Sequence, residues 1–387
     1  METRNSGYWS ELPIDILRSV LERLSFVDFH RAKIVCSNWY SCSKHSLILR
    51  KPESPWLILF QERGGCGLYN PEEDSIYETN RDFSRIRFLA NSRNWFLVRD
   101  SRSNLYIMDV FSEKKIDLPP LESIKGGFVT LSRVGDKKFS ERFTYGSEEF
   151  IKNAEDLRGL LWVDEKKEEY VVVWFFDRGA RYIAFCKNGE DHYRDIPTQI
   201  DVCKELSDMV LHGGDSTLYI LTKRRVIRKL AFSKQEGFVD VAKFSDTFRQ
   251  TTYDHISGAI LSNNIAVTTA GEVLLVQNFF YETTRYRRFR LYKKDPNTDQ
   301  NPLVEVYSLG DEALLMDLGI TVPAGSTLGI EPNSIYFTCD DRVYGPQHSC
   351  LDICVFNIAT KKLKRFPGLS LSNDDLSLKD ARWFLPS

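Results

Sequence analysis

Two spacings of apolar residues divide the chain. Up to about residue 48 they recur every three or four positions, the period of a helix face. Beyond Trp56 they form short apolar blocks separated by turn residues, the pattern of strands. Leu12-Pro13 opens the helical part, with Ile14, Leu17, Leu21 and Leu24 on one broad face and Ile16 and Val20 beside it. Pro13 suits the first helical position, where the amide it lacks would be unpaired anyway. Asp15 places negative charge in the first turn. Ser25-Phe26-Val27-Asp28 has the spacing of a capping box for a second helix carrying Phe29, Ala32 and Val35. Ser37 caps a third, carrying Trp39 and Tyr40. Helices this short bury too little surface to be secure alone. Burying one Leu or Ile is worth about 1.5–3 kcal/mol. Their apolar stripe is therefore expected to dock, as a cap on the rest of the chain or against a partner.

The remainder reads as a repeated unit. Strand-like segments fall at 56–60, 67–71 and 75–77, then at 86–90, 95–98, 105–109 and 115–118. Further sets lie at 160–196, 209–242, 265–308 and 334–366. Some units share an ending, in which a strand reaches Asp109 or Asn357, turns, and closes near Pro119 or Pro367. Units of about 40–50 residues with about four strands each are the signature of propeller blades. The fold class expected is an N-terminal all-α three-helix segment followed by an all-β domain, a β-propeller of about six blades, with five to seven admissible. Residues 119–158 and 295–330 read as inserts. A pair of β-sandwiches or an open barrel is the competing architecture, and neither needs the blade period. The C-terminal Trp383-Phe384-Leu385 is too apolar to hang free and is expected to complete the first unit, which is one strand short.

The segments Trp9-Ser10-Glu11-Leu12-Pro13-Ile14-Asp15-Ile16-Leu17, Val20-Leu21-Glu22-Arg23-Leu24, Val27-Asp28-Phe29-His30-Arg31-Ala32 and Val35-Cys36-Ser37-Asn38-Trp39 follow one another in an order that resembles an F-box. Asn38 departs from the basic residue common before the Trp, and His30 stands where the pattern varies. The resemblance implies binding to the Skp-type adaptor of cullin–RING ubiquitin ligases. It assigns adaptor contacts to Leu12, Pro13, Ile16, Leu17, Leu21, Val35 and Trp39, without separating contact residues from the F-box's own core. The β-region resembles the C-terminal domain, often described as kelch-like, of a large plant family of F-box proteins. Residues 334–341, Val355-Phe356-Asn357 and 383–387 carry that likeness. It implies plant origin and a substrate receptor, and names no substrate. The expected organisation is a disordered stretch (1–8), an F-box (9–48), a linker (49–54) and the β-domain (55–387).

Composition narrows the setting. Of 387 residues, 52 are Lys or Arg and 54 Asp or Glu, a formal charge of −2, which gives no support to a dedicated nucleic-acid or membrane-surface protein. The eight Cys contain no C-x-x-C pair and do not read as a disulfide framework. The N-terminus has no apolar signal core, and the longest apolar run, 170–176, is too short to span a bilayer. The expectation is an intracellular protein of the nucleus or cytoplasm. The 13% aromatic content fits packed sheet faces.

Catalytic signatures are absent: no P-loop, no dinucleotide fingerprint after a strand, no H-E-x-x-H and no nucleophile elbow. Arg63-Gly64-Gly65-Cys66-Gly67 lies between strand-like runs and reads as a hairpin turn rather than a phosphate cradle. His348, Cys350 and Cys354 supply three possible zinc ligands without a fourth at useful spacing. The basic run 285–294 reads as a strand whose cations discourage edge pairing. No cofactor, metal, nucleic acid or membrane is expected. The function expected is the substrate-recognition subunit of an SCF-type ligase. The F-box recruits the adaptor and through it cullin, the β-domain captures an unidentified target protein, and catalysis is by proximity alone. A small-molecule sensor and a propeller enzyme with a helical cap are the alternative readings.

Overall fold

Helix formation ends where the three-and-four spacing ends. In the computed structural model, helix α1 spans Ile14–Arg23, α2 Phe26–Ala32 and α3 Ser37–Ser46. The structure describes residues 9–24, 26–33, 35–46, 54–61, 64–79, 83, 85–112, 114–165, 167–177, 179–198, 206–213, 217–222, 225–233, 237–244, 260–281, 286–294, 303–325, 329–338, 353–366, 369 and 378–386. The expectations placed on 1–8, on most of the linker 49–54, on Ser25 as a cap and on His348 and Cys350 lie outside them. Pro13 sits one position earlier than expected. It is extended and precedes the first turn, and its carbonyl accepts from the Leu17 amide at 3.0 Å.

The β-region forms successive antiparallel sheets. The first holds Leu378–Phe384, Trp56–Gln61, Cys66–Asn70 and Ser75–Thr79 in that order. The C-terminal strand therefore completes the first sheet, with Trp383 opposite Leu57. The second sheet runs Arg87–Ser92, Trp95–Arg99, Leu105–Asp109, Lys115–Asp117. The third runs Leu157–Asp164, Glu169–Phe176, Tyr182–Lys187, Arg194–Pro197. The fourth runs Leu206–His212, Thr217–Thr222, Ile227–Ser233, Gly237–Phe244. A further sheet divides at one parallel pair, Val267↔Ile320. On one side lie Ile260–Val267, Val273–Tyr281, Tyr286–Lys294 and Leu303–Val306. On the other lie Ile320–Pro323, Glu312–Leu315, Ser334–Phe337, Cys354–Asn357 and Leu363–Arg365. We treat these two sides as the fifth and last sheets.

Apolar clusters join each sheet to the next. Trp56, Ile58, Phe88 and Phe96 link the first to the second, and Leu97, Phe139 and Trp174 link the second to the third. Val173, Ile183 and Met209 lead to the fourth, and Tyr219, Ile265 and Leu275 to the fifth. Val276, Phe289 and Phe356 reach the last sheet, and Leu59, Leu315 and Trp383 return to the first. This closed succession is a β-propeller. It also explains why the strands are apolar without alternation. In Glu169–Phe176, Val171, Val173 and Phe175 enter one cluster while Val172, Trp174 and Phe176 enter the other.

The recurring Asp or Asn at the end of a strand has the same local role in both places. Asp109 Oδ1 accepts the amides of Phe111 and Ser112, each at 2.8 Å, and Asn357 Oδ1 accepts that of Thr360 at 2.9 Å. Side-chain acceptors of this kind fix the turn into the next strand. Gly64, at φ 90°, closes the first hairpin, and its amide donates to the Gln61 carbonyl at 3.0 Å. The basic run is a strand, as expected, but its cations do not keep an edge free: Tyr286–Lys294 pairs on both sides, with Val273–Tyr281 and Leu303–Val306. Arg287 is buried with its guanidinium 4.4 Å from the Phe280 ring centre, and Arg290 forms a two-pronged pair with Glu305 at 2.9 and 2.8 Å.

Innermost strands meet their neighbours through short polar side chains. Asn91 Nδ2 donates to the Trp383 carbonyl at 3.2 Å, and Ser92 Oγ accepts from the Val163 amide at 3.1 Å. Ser207 Oγ donates to the Asn263 carbonyl at 2.7 Å. Asp208 accepts the amides of Met209 and Ile265 at 2.8 Å each. Asp317 accepts the Trp383 amide at 3.0 Å and the Thr338 hydroxyl at 2.7 Å.

Two segments read as plain inserts carry strands. Residues 129–153 form a three-stranded sheet of Val129–Gly135, Lys138–Phe143 and Glu149–Asn153, whose Val129, Leu131 and Phe139 pack between the second and third sheets. Residues 312–323 form the short hairpin of the last sheet. Within the inserted sheet Glu141 is buried. It accepts from the Tyr182 hydroxyl at 3.0 Å and lies 4.0 Å from Lys152 Nζ, which also pairs with Asp177 at 2.9 Å. Burial pushes the Glu141 carboxyl up to about 7 against the pull of Lys152 and Tyr182.

Removing residues 378–387 takes away Trp383 and Phe384 together with the strand that pairs with Trp56–Gln61. It is expected to cost several kcal/mol, on the order of 10 °C in Tm, and an unchanged melting curve would contradict ring closure by this strand. Between about pH 4.3, the ordinary Glu range, and about 7, folded Glu141 keeps its proton where the unfolded chain has lost it. Native stability therefore falls as pH rises through that window, and the penalty persists above it. Glu141→Gln is expected to raise Tm above about pH 7 and to lose that advantage toward about pH 4.5. A pH-independent difference in differential scanning fluorimetry would refute the assignment.

Candidate adaptor-binding face

The three helices close a small core of their own. Leu17, Leu21, Phe29, Ala32, Trp39 and Cys42 are buried together, with Leu12, Val20, Leu24 and Cys36 packed against them. The stretch before α1 runs alongside α3. Trp39 Nε1 donates to the Trp9 carbonyl at 2.8 Å, and the Asn38 amide donates to the Ser10 carbonyl at 3.1 Å. Cys42 Sγ approaches the Ile14 carbonyl at 3.8 Å. Asn38, which departs from the expected basic residue, thus ties the leading segment to α3.

The expected adaptor residues separate into two groups. Leu17, Leu21 and Trp39 are at most 7% exposed and belong to the internal core. Pro13, Ile16 and Val35 face outward, Ile16 at 52% and Val35 at 55% exposed, and Leu12 lies half-buried between the groups. Three residues without an expected role join the outer group: Trp9 at 66%, Ile14 at 52% and Tyr40 at 48% exposed. The contacts of Trp9, Asn38 and Cys42 bring the segment before α1 and its first turn against the first half of α3. Helical spacing alone counted Ile14 into one broad face with Leu17 and set Ile16 beside it. Only the position of α3 separates them.

His30 joins the bundle to the β-domain. His30 of α2 is buried and stacks on Phe111 at 4.4 Å between ring centres and 28° between planes. Phe29 meets the His30 ring edge-on at 5.7 Å, and Lys33 Nζ lies 3.1 Å from His30 Nδ1. Phe111 stands on the turn fixed by Asp109 and reaches Phe384 at 6.1 Å. The sequence marked His30 only as a variable position, and a stacking partner 81 positions away leaves no local signal.

Among the described residues no group of three His, Cys, Asp or Glu side chains could hold a metal ion. Cys354 is buried on a strand paired with Ser334–Phe337. No described helix is long and apolar enough to cross a membrane.

Two families match this chain: the F-box domain over residues 9–51 and the KIB1-4 beta-propeller over residues 68–357. F-box protein At5g25290 of Arabidopsis thaliana is 59% identical, covering 98% of this chain and 97% of the relative. F-box protein At2g14290 of the same plant is 49% identical over 100% and 99%. F-box protein KIB4, also of Arabidopsis thaliana, is 36% identical over 100% and 98%. The solved β-propeller domain of Myceliophteria thermophila Cps50 (Swd1) is 10% identical with a TM-score of 0.32, over 72% of this chain and 95% of that domain. The fold assignment rests instead on the closed sheet succession and the family matches.

The two groups of side chains predict opposite responses. Leu21→Ala is expected to cost about 2–5 kcal/mol in the helical bundle, because it opens a cavity. Ile16→Ser is expected to stay within about 0.5 kcal/mol. Hydrogen exchange of the α1 and α3 amides in the full chain measures both, and equal protection losses would contradict the division.

Proposed function

The chain belongs to the F-box proteins whose C-terminal domain is a KIB1-4 β-propeller, and from that membership we propose that it is the substrate receptor of an SCF-type ubiquitin ligase. The F-box binds a Skp-type adaptor and through it cullin, and the propeller holds the target protein. The observation that carries this reading is the set of exposed apolar side chains on a bundle whose own core is already complete. Ile14, Ile16, Val35 and Tyr40 lie outside the buried core and leave about half of their surface in water, and apolar surface of this kind is suited to a protein partner.

In this reading Pro13, Ile16 and Val35 touch the adaptor. Leu17, Leu21 and Trp39 act through them by holding α1 against α3, and Leu12 contributes to both. Ubiquitin transfer is accelerated by proximity: a target lysine held near a charged conjugating enzyme meets it at high effective concentration. The chain itself supplies no bond chemistry. The stack of His30 on Phe111 supports the same reading, because a receptor works only if its two ends keep a fixed separation.

The test is co-expression with a plant Skp-type adaptor followed by affinity recovery. Ile16→Asp combined with Val35→Asp is expected to weaken adaptor binding by at least about tenfold, as loss of two interface anchors does, while the melting curve is kept. Undiminished recovery by this double variant would exclude the proposed face.

A further inference from the structure

Five cations gather where the first three sheets and the inserted one approach each other. Arg87 opens the innermost strand of the second sheet and lies directly opposite Arg99 in its register. Arg158 stands on the innermost strand of the third sheet and Arg382 on that of the first. Lys137 comes from the turn between the first two strands of the inserted sheet.

Glu155 serves three of these cations. Arg99 Nη2 lies 2.9 Å from Oε2, Lys137 Nζ 3.0 Å from Oε1, and Arg87 Nη1 3.8 Å from Oε2. The Glu155 carbonyl accepts from Arg87 and, at 3.0 Å, from Arg158. Arg382 reaches Asp380 at 3.4 Å. Like charges directly across a strand pair repel, and buried cations short of acceptors cost more still. Arg87 registers this: burial first, and then Arg158, Arg99 and Arg382, lower its pKa to about 10.

Arg99 carries the argument furthest. Its side chain is 6% exposed, yet its Nε and Nη1 meet no acceptor among the described residues. Guanidinium groups are planar forks whose donors match the oxygens of phosphoryl-type anions, and charge-assisted bonds to such oxygens are strong. We propose that this arginine cluster is a binding site for a phosphate-class oxyanion, entered past Lys137 and Glu155, the members of the cluster that face solvent. The F-box takes no part in this site, so the inference stands or falls independently of adaptor binding.

The full chain is titrated with inorganic phosphate and, separately, with O-phosphoserine, at ionic strength held constant with chloride. Calorimetry and melting curves are the readouts. Saturable heat for one anion per chain and a matching rise in Tm are expected. Arg99→Gln should abolish the saturable heat. Because Arg99 is buried, Lys137→Ala is the second variant. It is expected to weaken binding by about threefold to fivefold and leave the melting curve without anion unchanged. Glu155→Gln, which removes a competing carboxylate, should bind more tightly. Preference for O-phosphoserine identifies a phosphoryl group carried on a larger molecule, and preference for inorganic phosphate the free anion. Absence of saturable heat with both probes overturns the proposal. So does a Tm rise that sulfate reproduces equally in the native chain and in Lys137→Ala.

Discussion

Apart from the single pair Val267↔Ile320, the innermost strands among the described residues present an edge without a neighbouring strand, and the fold depends on how that edge is satisfied. Backbone amides and carbonyls buried without partners are costly, and an unpaired strand edge invites foreign strands. Here neighbouring innermost strands are stitched by Asn91, Ser92, Ser207, Asp208 and Asp317, each contributing a polar atom one or two carbons from its backbone. Such short side chains leave little freedom to lose. Asp317 is the extreme case. Burial raises its carboxyl pKa, and the amide of Trp383 with the amide and hydroxyl of Thr338 offsets part of that rise. The same residue binds the last strand to the sheet that precedes it, so ring closure and polar satisfaction are one event.

Much of this was legible in the chain because its strongest signals are local. Runs such as Trp56–Phe60 and Tyr170–Phe176 announce strands covered on both faces, and the clusters on either side of each sheet give the reason. The Asp109 and Asn357 turns were visible as a recurrence because a side chain caps a backbone two or three residues on. What escaped was short or non-local. The four-residue strands Glu312–Leu315 and Ile320–Pro323 are too brief to show a period, and the inserted sheet is charge-rich, as in Lys138–Phe143. The split between Ile16 and Leu17 needs α3 in place. The arginine cluster draws on residues from 87 to 382 that no spacing rule connects.

The bundle shows how few residues can carry several demands. Its core, its outward apolar residues and its seat on the propeller draw on largely separate side chains: Leu17, Leu21 and Trp39 for the first, Ile14, Ile16 and Val35 for the second, His30 for the third. Because only Leu12, among the residues named, belongs to both of the first two sets, change at Ile14, Ile16 or Val35 can proceed without loosening either the bundle or its attachment. The seat rests on aromatic stacking onto a turn already fixed by Asp109, so little conformational freedom remains to be lost when the two parts meet.

The strand that completes the first sheet, Leu378–Phe384, is made more than three hundred residues after the strand it pairs with. Trp56–Gln61 is synthesised that far ahead of its partner, and for that whole interval its inner edge has no partner. At about 5–20 residues per second, that exposure lasts on the order of tens of seconds. The nascent chain therefore passes through a long stage in which every later sheet can form while the ring stays open, with Trp56, Leu57 and Ile58 only half covered. A chain cut short anywhere before residue 378 never leaves that stage, which makes a C-terminal nonsense product an obvious client for chaperones and proteases rather than a partly working receptor.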